Sequence, residues 1–152
     1  MFYDFEKDLP TGENGEQVTA RTLLEYKGWY PMKFNKTKGY DILFQPEGGD
    51  VLKVEVKTDV YPVNTGNMVI ETENRGQNSG ITTTEADYWA YLYPFHDANN
   101  LWLIKTEELK KMIEENKDKL RKKNVGDMKK AVCWIIPLEQ YKQNFECMTA
   151  FV

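Results

Sequence analysis

At 152 residues, 41% hydrophobic and 29% charged, the chain has the size and composition of one globular domain spanning 1–152. Disorder and a membrane span are both excluded as readings of that composition, since no apolar run approaches the ~20 residues a bilayer needs. The net charge of −4 hides an asymmetry: residues 105–130 hold ten of the 20 Lys and Arg but six of the 24 Asp and Glu, a local balance of +4 that leaves −8 on the remainder.

Partners respond to local fields, so a basic segment on an acidic body can meet phosphate, or it can be a plain solvated helix and loop. Cys133 and Cys147 lack metal-ligand spacing and make no disulfide framework. Zinc fingers, CxxC redox sites and disulfide-rich secreted domains are thereby excluded, and two structural thiols in a reducing cytoplasm are expected. MFYDFEKDLP has no basic region followed by an apolar core, so no secretory signal is expected.

In chain order, Thr11 is the expected N-cap of a helix running to about Lys27, with Gly28 as its stop. WYPMKF (29–34) reads as a strand, with Pro31 marking an edge or bulge. YDILF (40–44) and VLKVEVKT (51–58) alternate as strands around the turn signal PEGG. NMVIETE (67–73) alternates again, NRGQNSG (74–80) is a loop, and TTTEAD (82–87) is expected to form a short helix. YWAYLYP (88–94) and LWLIKT (101–106) are strands around the turn HDANN. A helix is predicted from about Glu107 to Lys123, then a strand VCWIIP (132–137) and a last short helix over 138–144. This order predicts an α/β or α+β domain with a central mixed sheet flanked by helices.

A hairpin centred on residue 48 opposes residues whose numbers sum to 96, so Asp41 faces Glu55. Opposed side chains share a sheet face, and Lys57, two residues on, shares it too. Ile42, Phe44, Leu52, Val54 and Val56 take the other face as core. Two opposed carboxylates repel, and a divalent cation between them reverses that sign. Oxygen-only ligands fit Mg²⁺ or Mn²⁺ better than zinc. On the first helix Glu16, Ala20 and Leu23 share one face, so Glu16 sits at the end of an apolar stripe or simply favours the helix dipole.

These residues carry a family resemblance. The run G-E-x-x-x-x-x-x-L-L-x-x-x-G-W over 15–29, then G-Y-D-I-L (39–43) and V-E-V-K (54–57), resembles the PD-(D/E)xK, restriction-endonuclease-like nuclease superfamily. Residues 79–89 and 134–138 are similar to phage and archaeal-type Holliday-junction resolvases. Tyr40 stands where the motif has proline. The resemblance implies a restriction-endonuclease-like core, Asp41 and Glu55 as Mg²⁺ ligands (Mn²⁺ substituting), Lys57 as the catalytic lysine and Glu16 as a supporting metal carboxylate. It further implies DNA as partner, a homodimer, and endonucleolytic resolution of branched DNA in a phage or mobile-element setting. The alternatives are a general phage, repair or restriction nuclease on linear or flapped DNA, and a non-catalytic nucleic-acid-binding module of the same fold.

Secondary candidates keep two readings each. Glu71 and Glu73 are a solvated edge or, if their strand lies beside 51–58, further ligands. Arg75, Ser79, Thr82 and Thr83 are phosphate contacts or ordinary loop and capping chemistry. Trp89, Tyr91 and Tyr93 are expected in the core rather than stacking on bases. His96, the one histidine, reads as a surface turn residue, against a histidine-based site. Lys122, Lys123, Lys129 and Lys130 are the expected backbone-gripping cations.

Overall fold

The first helix forms where the apolar spacing places it. α1 spans Thr11–Lys27 and ends against Gly28, and Val18, Ala20 and Leu23 point into the core with Ala20 and Leu23 fully buried. A computed structural model describes residues 11–35, 37, 39–58, 66–95, 98–125 and 130–151, with the side chains of 11–14, 93–95, 98 and 99 outside the description. The proposed cap of Thr11, the ring of Tyr93, and His96 and Lys129 therefore lie outside the described residues.

Three strands follow: β1 (Tyr30–Phe34), β2 (Ile42–Gln45) and β3 (Leu52–Thr58). Among the described residues β1 pairs with β2 alone, and its register shifts between Pro31 and Lys33, so Pro31 marks both an edge and a bulge. β4 (Asn67–Asn74) and β5 (Gln77–Asn78) form a hairpin, followed by a 3-10 turn at Gly80–Thr82. β6 (Tyr88–Phe95) and β7 (Ala98–Lys105) lead into α2 (Thr106–Asn116). β8 (Arg121–Val125), β9 (Ala131–Pro137), α3 (Leu138–Tyr141) with a 3-10 extension, and β10 (Glu146–Thr149) complete the chain.

These strands make two sheets. The larger has the order β1-β2-β3-β6-β7-β10 and is mixed: β3 and β6 are parallel, and every other pair is antiparallel. The smaller is antiparallel, in the order β5-β4-β9-β8. α1 covers one face of the large sheet, burying Ile42, Phe44, Val54, Val56, Ala90 and Leu101 beneath Ala20 and Leu23. Trp89, Tyr91 and Ile104 join a second core with Met68, Ile70 and Ile136 of the small sheet and Leu109, Met112 and Ile113 of α2. Burying a side chain such as Phe44 or Leu23 contributes roughly 1.5–3 kcal/mol, so the two cores hold the sheet from both sides.

The central mixed sheet has α1 on one face and α2, together with the small sheet, on the other. Two expectations are corrected. Residues 82–87 form no helix: Thr82 Oγ1 donates to the carbonyls of Thr72 and Ser79 at 2.7 and 2.6 Å, and Thr84 Oγ1 accepts from the Ala86 N–H. Threonines that bond locally to backbone compete with a helix. α2 stops at Asn116, whose side chain donates to the Met112 carbonyl, and Arg121, Lys122 and Lys123 are on the exposed edge strand β8. Pairing with β9 recruits them, and that gain outweighs their helix propensity. β4 also lies beside β9, not beside β3. Among the described residues no helix is long and apolar enough to cross a membrane.

Candidate active site

The register of the β2–β3 hairpin sets the site. Ile42 pairs with Val54, Leu43 with Lys53 and Phe44 with Leu52, and just beyond the last pair the Asp41 and Glu55 side chains meet. The alternation that buries Phe44 and Val54 turns Lys53, Glu55 and Lys57 to the other face. Asp41 is locked at the strand entrance. Its N–H donates to the Val54 carbonyl at 2.9 Å, and its Oδ2 accepts from the Val56 N–H at 2.7 Å. Its carbonyl accepts from Asn35 N–H at 2.7 Å, and Asn35 Nδ2 donates to the Tyr40 carbonyl at 2.9 Å. Asp87 ties the neighbouring strand in place: its Oδ2 accepts from Lys53 N–H at 2.8 Å and its own N–H donates to the Lys53 carbonyl at 2.7 Å.

Glu55 and Lys57 form an ion pair, Nζ to Oε2 3.2 Å, with side chains 18% and 36% exposed. Lys57 Nζ also lies 5.6 Å from the centre of the buried Trp89 ring. Burial pushes the Asp41 carboxyl above the usual carboxylate range, against the pull of the Val56 N–H, Lys57 and a hydrogen bond with Glu55. Burial raises Glu55 as well, and the charge of Asp41 raises it further while Lys57 opposes. Two part-buried carboxyls in contact resist ionising together.

This pair lies in an open cleft of about 280 Å³. Asp41, Glu55 and Lys57 line it from the large sheet, and Thr37, Gly39 and Tyr40 from the loop before β2. Glu71, Asn78, Ser79, Gly80, Thr83 and Thr84 line it from the small sheet and the segment after it. Ser79 Oγ donates to Glu71 Oε2 at 2.7 Å. Gly39, with φ 109°, and Gly80, with φ 56°, are positions where a side chain would be strained and would collide, at Gly39 with Glu85 and at Gly80 with the Glu71 backbone carbonyl. Glu71 directly opposes Cys133 on β9. The Cys133 thiol is pushed up to about 11 by burial and by Glu71, with Lys57 acting the other way, so Cys133 is a buried, inert thiol. Cys147 is exposed on β10 and fills no core position.

The other sequence candidates distribute unevenly. Ser79 and Thr83 line the cleft; Thr82 does not, and its hydroxyl is spent on backbone carbonyls. Arg75 sits at the tip of the β4–β5 turn, exposed, with φ 54°, outside the cleft lining. Lys130 is its neighbour there, the Arg75 N–H donating to the Lys130 carbonyl at 3.1 Å. Lys122 and Lys123 are exposed on β8, with Lys122 Nζ 4.7 Å from the Trp134 ring centre. Glu16 is half-buried on α1, which packs on the face of the sheet opposite Glu55 and Lys57, and it does not line the cleft. Trp89 and Tyr91 are core residues. Tyr40, Thr37, Asn78 and Thr84 are cleft residues that no local pattern marks, because the segments carrying them meet only in the folded chain.

The donor chemistry fits a small divalent cation. Asp41 Oδ2 is engaged by backbone and Glu55 Oε2 by Lys57, and the two carboxyls share a hydrogen bond that a cation between them would replace. Among the described residues no group of three His, Cys, Asp or Glu side chains is placed to hold a metal. Mg²⁺ commonly binds through one or two carboxylates, with water and substrate phosphate completing the octahedron. Comparison with family models, curated proteins and solved structures returns no match.

Proposed function

We propose that the chain is a magnesium-dependent nuclease that hydrolyses DNA phosphodiester bonds on a restriction-endonuclease-like core. The single observation that carries this reading is that the β2–β3 hairpin brings Asp41, Glu55 and Lys57 together along one wall of an open cleft. Support for the core is the order of one helix, three antiparallel strands and a strand parallel to the third.

Asp41 and Glu55 would hold the ion, with Mn²⁺ able to substitute. When bound, it supplies charge neutralisation for the phosphoryl oxygens and acidifies water. The Val56 N–H holds one oxygen of the Asp41 carboxylate in place at the cleft wall. The Lys57 ammonium orients the attacking water and stabilises charge developing on the phosphate. Water adds at phosphorus, the bond to the leaving oxygen breaks, and that oxygen takes up a proton. The exposed cations of β8 and Lys130 lie outside the cleft and would attract backbone phosphates.

Resolution of four-way DNA by a homodimer is the most specific form of the proposal. The test is the purified chain with Mg²⁺ against matched linear, flapped and four-way DNA. Symmetric nicks confined to the four-way substrate establish a resolvase, and cleavage of linear or flapped DNA establishes a general nuclease. A second reading, a non-catalytic nucleic-acid-binding module, is favoured by one observation: no third metal-type side chain joins Asp41 and Glu55 among the described residues. Binding of all three DNAs with no cut in any selects it.

A further inference from the structure

Tyr40 is an aromatic residue on the cleft wall, next in sequence to Asp41. It packs on the core between the two sheets while remaining part-exposed. Its ring is braced by the Lys53 ammonium, 5.4 Å from the ring centre, and its backbone by the Asn35 side chain at 2.9 Å. Around it the wall is neutral and polar, with Thr37, Asn78 and Thr84. The volume of about 280 Å³ falls just below the ~300–1,000 Å³ of small-molecule sites, which limits the occupant to about one nucleotide. A base inside a duplex has both faces covered by its neighbours, so only an unstacked base can meet this ring.

We infer that the cleft binds one unstacked nucleotide with its base on Tyr40, so that this site favours nucleic acid with an unstacked nucleotide, as in a single strand, a flap or a branch point, over continuous duplex. The inference rests on the nuclease reading for what happens to the adjoining phosphate, but the binding it asserts is measurable without cleavage. A braced aromatic ring loses little freedom when a base stacks on it, and stacking tolerates any base.

The test uses a single-stranded DNA carrying 2-aminopurine, whose fluorescence falls on stacking, mixed with the full chain bearing Asp41→Asn to block turnover. Quenching on binding is expected with Tyr40 and with Tyr40→Phe added, and its loss with Tyr40→Leu, alongside ~5- to 100-fold weaker binding of the strand. A matched duplex should be bound equally by all three. Quenching that persists in Tyr40→Leu, or a Tyr40 chain that binds the strand without quenching, overturns the inference. The second result needs no substitution at Tyr40 and so is independent of whether Tyr40→Leu folds. If the wild-type chain cuts no DNA with Mg²⁺ while quenching follows Tyr40, the stacking site stands and the nuclease reading falls. If it cuts and no quenching is seen, the reverse holds.

Discussion

The β2–β3 hairpin and the β8–β9 pair are both short antiparallel ladders carrying charged side chains, yet they treat charge in opposite ways. In the hairpin, Asp41 and Glu55 are part-buried, in contact, and held by backbone and by Lys57. On β8, Arg121, Lys122 and Lys123 stand exposed on an edge, where lysines keep a free strand from pairing with another chain. Water screens the second group, whereas the first keeps its mutual repulsion. In the proposed function chemistry therefore belongs to the hairpin, and attraction at longer range to the edge strand.

Substitutions in the hairpin should have the greatest consequence. Asp41→Asn, Glu55→Gln and Lys57→Ala should each lower Mg²⁺-dependent cleavage by ~10²–10³ while far-UV circular dichroism stays native. None of the three fills the apolar cores, so lost activity with a folded chain is the signature. Wild-type turnover in any one removes that residue from the site.

The second prediction addresses the edge strand. Neutralising Lys122, Lys123 and Lys130 together should flatten the log–log salt dependence of DNA binding by about two to three, at ~0.9 for each phosphate they neutralise in the wild type. The rate at saturating DNA should not change. An unchanged slope would leave β8 as a solvated edge.

How legible each half was in the sequence follows from the same difference. The hairpin's paired residues lie eight to twelve positions apart, and strict alternation of Ile42, Phe44, Leu52, Val54 and Val56 around PEGG defines both register and site. The small sheet joins 67–78 to 121–137 across half the chain. Residues 121–123 carry no apolar alternation to announce a strand, and Leu120 is the buried anchor among 117–123. Glu71 was open to either fate, because its place depended on which strand lay beside β4. Its arrival in the cleft with Ser79 is a product of tertiary pairing. Tyr40, two residues before β2, stands where the motif has proline and lines the cleft.

The third prediction concerns stability without metal. Asp41 and Glu55 have folded-state pKa values above their unfolded ones. Their contribution is fully present below the ordinary carboxylate range and is lost as pH rises through the raised folded values. The metal-free chain should therefore lose stability from the ordinary carboxylate range upward, and Asp41→Asn should reduce that loss and raise Tm at pH 7. Mg²⁺ at a hundred times its Kd should restore about 2.7 kcal/mol to the wild type and nothing to Asp41→Asn. Thermal melts against pH, with and without Mg²⁺, check both statements. A wild-type Tm that rises across that window would contradict the coupling.

The mildest change is expected from Glu16→Gln. Residues that act through a metal ligand typically change affinity or activity ~10–100-fold. Glu16 lies outside the cleft lining, so its substitution should move the Mg²⁺ midpoint of cleavage by less than about tenfold. A larger shift would return Glu16 to the metal site.

Whether Asp41 and Glu55 work as one unit is decided by single-turnover cleavage, at saturating Mg²⁺, by the wild type, Asp41→Asn, Glu55→Gln and the double variant. Groups that act as one unit lose most of their effect with the first deletion. Each single variant should lose ~10²–10³ and the double should fall little further. Independent, multiplying losses would separate Asp41 from Glu55, and undiminished turnover in the double variant would place the chemistry elsewhere in the molecule.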